Sequence, residues 1–171
     1  MRELCRLRLG SACCIIHVTD GVLSGHMCKF AREIIFMRFI QSFDELNIPN
    51  DYKEYLSEYL HNLSNISFIS RVILFGSCAR EEVREYSDID IFITADRKVT
   101  HEDEFIITCE CRPPHSMKSI PLDIIIQDED TFAERLDSFG MIQKQVRSDG
   151  VDLSGVLRQC VGNGTIGHRF V

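Results

Sequence analysis

The chain has 171 residues, of which 44% are hydrophobic and 26% are charged, a balance typical of a folded globular domain rather than a disordered or fibrous protein. It contains no apolar run of eighteen residues, which excludes a conventional membrane-spanning helix. The net charge of -7 argues against broad, non-specific binding to nucleic acid.

The N-terminal part of the chain differs in charge from the rest. Residues 1–40 contain six basic and three acidic side chains, whereas the remainder is strongly acidic. The short apolar stretch 12–18 is interrupted by His17 and is not followed by a clear cleavage site, so we do not expect a secretory signal. We predict that residues 1–50 form an N-terminal extension, partly irregular or helical, with a helix over 30–43.

The eight cysteines have no metal-binding pattern. Cys13 and Cys14 are adjacent, and Cys109 and Cys111 have no second pair at zinc-ligand spacing. Small thiols in a chain with this much apolar sequence are typical of a reducing compartment. We therefore expect reduced cysteines, most of them buried, and a cytoplasmic location.

The first elements of the central domain are a helix, a strand, a second helix and a second strand. Pro49 and the polar residues after it predict the beginning of a helix, which has one apolar stripe (Tyr52, Leu56, Tyr59, Leu60 and Leu63). The β-rich run 69–75 predicts a strand, 78–85 a helix, and the alternating residues 87–94 a second strand.

Further strands are predicted over 104–111 and 121–127, and helices over 128–139 and 141–147. The order of elements predicts an α/β or α+β fold. We place the domain at residues 51–157 and expect residues 158–171, which include three glycines, to form a flexible tail.

A glycine–serine pair and two aspartates flank the second predicted helix. Gly76 allows the backbone to approach a ligand closely, and Ser77 lies where a helix begins, a position whose free N–H groups suit phosphate. Asp88 and Asp90 are two residues apart on a strand, so both carboxylates point to one face. Two adjacent carboxylates repel each other unless a cation lies between them, and oxygen ligands favour a hard divalent ion.

A third acid stands on an otherwise apolar strand. Asp123 follows Leu122 and precedes three isoleucines, and a lone charge in such a strand would be costly to bury. We therefore predict phosphate at Ser77, metal at the aspartates and an attacking hydroxyl near Asp123. Arg80, one helical turn after Ser77, is either a further phosphate ligand or a solvated helix residue.

The motif LFGSCAR at 74–80, followed by SDIDI at 87–91, resembles the signature of the polymerase-beta-like nucleotidyltransferase superfamily, especially its minimal members. Asp123, within LDII at 122–125, resembles the third acid of the family, and the likeness spans about residues 52–157. Two departures stand out. Glu81 occupies a position where the family often has glycine, and the stretch before Asp123 is strand-like where minimal members often have a helix.

The resemblance implies a small mixed β-sheet flanked by helices. It implies an enzyme that transfers a nucleoside monophosphate from an NTP, with ATP expected, to an acceptor and releases pyrophosphate. Gly76 and Ser77 would hold the triphosphate, and Asp88, Asp90 and Asp123 would be the catalytic residues that hold two Mg²⁺ ions.

The acceptor is open among three hypotheses. Minimal members often act as antitoxins that modify a partner toxin, which favours a hydroxyl on a partner protein. The alternatives are a small-molecule enzyme of the aminoglycoside or lincosamide type and a catalytically silent antitoxin that acts by binding alone. Small-molecule enzymes usually have a further helical domain, and few residues follow 157; the retained acids argue against a silent protein.

Overall fold

The computed structural model describes residues 4–9, 12–19, 22–24, 37–114, 120–135 and 142–163; for 4–24 and 161–163 it describes the backbone alone. Within these residues no helix is long and apolar enough to cross a lipid bilayer.

Near the N-terminus, three strands form an antiparallel sheet in the order β1-β2-β3, with β1 at Leu4–Leu9, β2 at Ala12–Thr19 and β3 at Val22–Ser24. We had expected an irregular or helical extension, and strands take its place here. The β-branched residues of β2 favour extended backbone, and the pair Asp20-Gly21 between β2 and β3 is typical of tight hairpin turns in sequence.

The main sheet has five strands: β4 at Arg38–Phe39, β5 at Ile69–Phe75, β6 at Ile89–Ala95, β7 at Leu122–Asp128 and β8 at Val151–Asp152. Their order is β4-β8-β5-β6-β7. The outer pairs β4–β8 and β6–β7 are parallel, and β5 is antiparallel to both of its neighbours. The prediction of a small mixed sheet is thus confirmed.

Six α-helices belong to the described residues: α1 at Asn50–Leu63, α2 at Gly76–Ala79, α3 at His101–Phe105, α4 at Glu129–Arg135, α5 at Ile142–Asp149 and α6 at Ser154–Asn163. A short 3₁₀ helix lies at Phe43–Glu45. The prediction of an α+β fold with helices flanking the sheet is confirmed.

Apolar side chains cover both faces of the main sheet. On one face, all five residues of the predicted α1 stripe are buried in a core with Ile89, Ile91 and residues of α6. On the other face, Phe92 packs with Phe132 of α4 and Val146 of α5. Because neighbouring residues of a strand point to opposite faces, Asp90 lies on the same face as Phe92, at its edge.

Two of the helices predicted from the sequence are absent or shorter in the described residues. Of the helix predicted over 30–43, residues 30–36 lie outside the described residues, and Arg38–Phe39 is a strand because its backbone pairs with β8. The helix predicted over 78–85 ends at Ala79. There the N–H of Glu81 donates to the carbonyl of Cys78 and the N–H of Glu82 to that of Ser77, a pattern that closes a helix end.

The strand predicted over 104–111 is helical instead. Thr100 and Asp103 form a reciprocal capping box that begins α3, and α3 continues into a π-helical turn at Ile106–Glu110. Ile107 and Cys111 are buried against α1, whereas Cys109 is exposed. The departure from the family that we predicted from this stretch therefore disappears.

Buried residues and regular elements are found on both sides of the predicted domain limits, residues 51 and 157. Ile40, Leu46 and Ile48 are buried in it although they precede residue 51. Helix α6 passes residue 157, after which we expected a flexible tail, and continues to Asn163. Strand β7 and helices α4 and α5 occupy the predicted regions, with residues 136–141 outside the described part.

Candidate metal and nucleotide site

The glycine of the motif lies at the end of β5, directly beside an aspartate of β6. Phe75 pairs with Asp90 in the antiparallel register, and Gly76 follows with a φ of 68°. L-residues other than glycine rarely adopt this left-handed conformation. A Cβ at Gly76 would also overlap the carboxylate of Asp90, and its ideal position is 2.9 Å from Asp90 Cγ. Only glycine fits here without displacing this carboxylate.

Ser77 follows in the first turn of α2. Its hydroxyl oxygen is buried, and it has no hydrogen-bond partner within the part of the chain that the structure describes. A buried hydroxyl without a partner is unfavourable, so the position fits a ligand oxygen. Because α2 has only four residues, a helix dipole contributes little here, and individual N–H groups and this hydroxyl remain as donors.

The three aspartates converge at one edge of the sheet. Asp90 and Asp123 are paired residues of the parallel strands β6 and β7, and Asp88 lies just before β6. One carboxylate oxygen from each lies within 4.8 Å of the other two. Asp88 and Asp90 are half-buried and Asp123 is exposed. Three oxygen ligands at this spacing suit a hard divalent cation such as Mg²⁺.

The electrostatics of the cluster are unfavourable when it stands alone. Partial burial raises the pKa of Asp90, and the neighbouring carboxylates of Asp88 and Asp123 raise it further. A bound cation would remove this repulsion. Together with the buried Ser77 hydroxyl, the all-oxygen donor set therefore fits a divalent metal and a phosphate group.

Hydrogen bonds from other elements hold the backbone of the site. The Tyr52 hydroxyl of α1 donates to the carbonyl of Ser87 (2.7 Å), and the Cys78 thiol donates to that of Asp88 (3.3 Å). Burial raises the pKa of Cys78 to about 11, so the thiol keeps its proton. Near β7, the Arg112 guanidinium donates to the carbonyl of Leu122, the residue before Asp123. These roles could not be predicted, because a single sequence carries no signal for contacts between distant residues.

Arg80 lies at the edge of the same site but is held by acids. Its guanidinium bonds Asp149 at the end of α5 (2.7 Å) and Glu82 (3.1 Å). These two carboxylates raise the pKa of Arg80. The positive charge of Arg80 in turn lowers the pKa of Asp90, so Arg80 lies near the three aspartates. A contact between Arg80 and a phosphate stays a prediction.

The family model described as "Polymerase beta, Nucleotidyltransferase" matches residues 54–148, more than half of the chain. The matched segment contains the glycine–serine pair and all three aspartates. The chain belongs to this nucleotidyltransferase family. This match confirms the resemblance that the motif indicated. Members of this family are generally transferases that use an NTP and a divalent metal.

The other comparisons add little to the family match. A solved structure from Sulfolobus solfataricus, provisionally named a nucleotidyltransferase, is 19% identical; the alignment covers 75% of this chain and 89% of that chain. Its TM-score is 0.38, too low to support a structural argument. No curated protein matches the chain.

This member of the family departs from the family motif at the residue that closes α2. Glu81, where the family often has glycine, has a φ of 61° and is the left-handed residue that closes α2. Glycine adopts this conformation without strain. Here Glu81 forms an ion pair with Arg38 of β4 (2.7 Å), which also lowers the pKa of Glu81.

Proposed function

We propose that this protein is a Mg²⁺-dependent enzyme that transfers a nucleoside monophosphate from an NTP, ATP in the first instance, to a hydroxyl group. The observation that carries the proposal is the convergence of three carboxylates beside a glycine that no other residue can replace without a clash. A solvated acidic surface would not require such a glycine, nor would it leave the nearby Ser77 hydroxyl buried without a partner among the described residues.

Each residue has a distinct part in the proposed reaction. Asp88 and Asp90 would hold metal together with the triphosphate, and the exposed Asp123 would complete the ligand set and face the acceptor. The Ser77 hydroxyl would donate to a phosphate oxygen, and Gly76 would let the backbone come close. When bound, two Mg²⁺ ions would neutralise phosphate charge and lower the pKa of the acceptor hydroxyl.

The bonds change in one in-line displacement. The acceptor oxygen forms a bond to the α-phosphorus, the bond from this phosphorus to the bridging oxygen breaks, and pyrophosphate leaves. The acceptor proton passes to a base, for which Asp123 is the candidate because it is the exposed member of the triad. For the acceptor, we propose a hydroxyl on a partner protein, with a toxin encoded beside this chain as the first candidate.

The test uses two radioactive labels. The full chain is incubated with Mg²⁺, the product of the adjacent gene, and ATP labelled at either the α- or the γ-phosphate. Label from the α-position should enter the acceptor protein, whereas label from the γ-position should leave as pyrophosphate. The Asp88→Ala variant should lose at least about 10²-fold in rate, since several kcal/mol of charge stabilisation disappear with the metal.

The matched control is Asp96→Ala. Asp96 is an exposed acid just past the opposite end of β6, so its removal should leave transfer unchanged. Incorporation of the γ-label would indicate phosphoryl rather than nucleotidyl transfer. Full activity of Asp88→Ala would refute the metal assignment, and tight binding of the partner without incorporation would favour the silent antitoxin.

A further inference from the structure

An open cavity adjoins the proposed phosphate and metal site. Its volume is about 540 Å³, within the usual range for small-molecule sites, and Ser77 and Asp88 form one part of its lining. The loop from Arg80 to Ser87, which joins α2 to β6, forms the rest. A nucleotide with its triphosphate at Ser77 and Asp88 therefore has this loop as an immediate neighbour.

The charge of the lining disfavours a second phosphate site in the outer part of the cavity. Arg80 and Arg84 face Glu82 and Glu85 there, and Arg80 is already paired with Glu82 and with Asp149 outside the lining. A polyanion gains little from a lining whose positive charges are matched by carboxylates, because attraction and repulsion cancel there. The uncharged base of a nucleotide meets no such repulsion, and its amino groups can donate hydrogen bonds to a carboxylate such as Glu85.

The loop also presents an exposed aromatic ring. Tyr86 is 87% exposed, the most exposed large apolar side chain of the described residues. The turn that presents it is closed twice, because the N–H of Ser87 donates to the carbonyl of Arg84 and the Ser87 hydroxyl accepts from the N–H of Arg84. The Tyr52 hydroxyl holds the same turn at the carbonyl of Ser87. Because these hydrogen bonds already order the backbone that carries Tyr86, a planar ligand can bind to the ring without a further cost for ordering the loop.

We propose that Tyr86 stacks on the nucleobase of the bound NTP and so gives the enzyme a preference for purine nucleotides. The larger ring system of a purine has more stacking area than that of a pyrimidine. This inference rests on the proposed function, since it assumes a nucleotide at the triad. In this arrangement the base binds beside the loop of Tyr86, and the acceptor binds on the side of the triad where Asp123 is exposed.

The experiment measures binding of ATP and of inorganic tripolyphosphate, each with Mg²⁺, by titration calorimetry of the full chain. Tyr86→Ala should weaken ATP binding about tenfold, in line with the loss of one base-stacking contact, and should leave tripolyphosphate binding unchanged. Tyr86→Phe keeps the ring and should keep the affinity for ATP. The wild type should bind ATP and GTP more tightly than CTP and UTP, and Tyr86→Ala should reduce this difference.

Phe105→Ala is the matched control, because Phe105 is an exposed aromatic residue (57%) on α3 that does not line the cavity. Equal ATP affinity in Tyr86→Ala and wild type, with tripolyphosphate bound, would refute the stacking role but leave the proposed function intact. A slower transfer with unchanged ATP affinity would assign Tyr86 to the acceptor and refute the proposal. Failure of both ligands to bind the wild type would refute the proposed function itself.

Discussion

At the scale of single residues, two features mark the site: a glycine with no room for a side chain, and carboxylates that repel one another. Gly76 has both a left-handed backbone and no room for a side chain beside Asp90. The raised pKa of Asp90 reports the burial and the negative charge around it. Such electrostatically unfavourable positions are typical of functional sites, where a ligand offsets the cost.

Gly76→Ala should destabilise the protein by at least about 1 kcal/mol, because alanine is disfavoured in the left-handed region and its Cβ would overlap the Asp90 carboxylate. Urea denaturation measures this loss. The same substitution in an Asp90→Ala background isolates the clash, since only the backbone strain remains there. An equal loss of stability in both backgrounds would show that the carboxylate does not oppose a side chain at residue 76.

At the scale of elements, helix α1 has two functions. Its apolar stripe packs on the sheet, as the spacing of the sequence predicted, and the Tyr52 hydroxyl at its beginning holds the loop before Asp88. Nearer its end, the Tyr59 hydroxyl donates to the carbonyl of Ile107 in the π-helical turn (3.3 Å). The apolar pattern predicted the burial of both rings but not the partners of their hydroxyl groups.

These two tyrosines allow a matched pair of substitutions. Tyr52→Phe and Tyr59→Phe should each lower the free energy of unfolding by about 1 kcal/mol, the usual contribution of one hydrogen bond. Only Tyr52→Phe should weaken Mg²⁺-dependent ATP binding, by several-fold, since only Tyr52 holds the loop of the site. Calorimetric titration of both variants tests this, and equal ATP affinities would show that α1 supports the fold alone.

Two elements also differ from what their local sequence predicts. The β-branched and aromatic residues of 104–111 favoured a strand, whereas the capping box of Thr100 and Asp103 and burial against α1 stabilise a helix. The helix predicted after Ser77 is cut short because Glu81 adopts a left-handed conformation. In the first case the deciding interactions lie outside the window 104–111. In the second, Glu81 lies within the predicted helix, but its left-handed conformation has no signal in the sequence, because glutamate, unlike glycine, rarely adopts it.

At the scale of the whole molecule, the sheet brings distant segments to one edge. Strands β6 and β7 are neighbours in parallel register, which sets Asp123 beside Asp90 across thirty-three residues of sequence. Helices on both faces bury the rest of these strands, so the carboxylates meet where the apolar core ends. Metal binding at such a position should stabilise the entire fold, because the ligand set exists only in the native state.

We expect Mg²⁺ at one hundred times its dissociation constant to raise the melting temperature by about 5–10 °C, from a gain of about 2.7 kcal/mol in a chain of this size. Asp90→Asn should abolish this increase, and without metal it should melt higher than the wild type because one repelling charge is gone. Differential scanning calorimetry with Mg²⁺ and with EDTA measures both effects. An Asp90→Asn variant that still responds to Mg²⁺ would contradict the assignment.

The sequence alone determined the strand that ends at the glycine–serine pair, the apolar stripe of α1, the fold class and the resemblance to a nucleotidyltransferase, because each follows from local periodicity or a short motif. Only the tertiary structure decided that Asp123 meets Asp88 and Asp90, that Tyr52 and Cys78 hold the site, and that 101–110 is helical. These features depend on strand order and on contacts between distant residues, whose energies no local window of sequence contains.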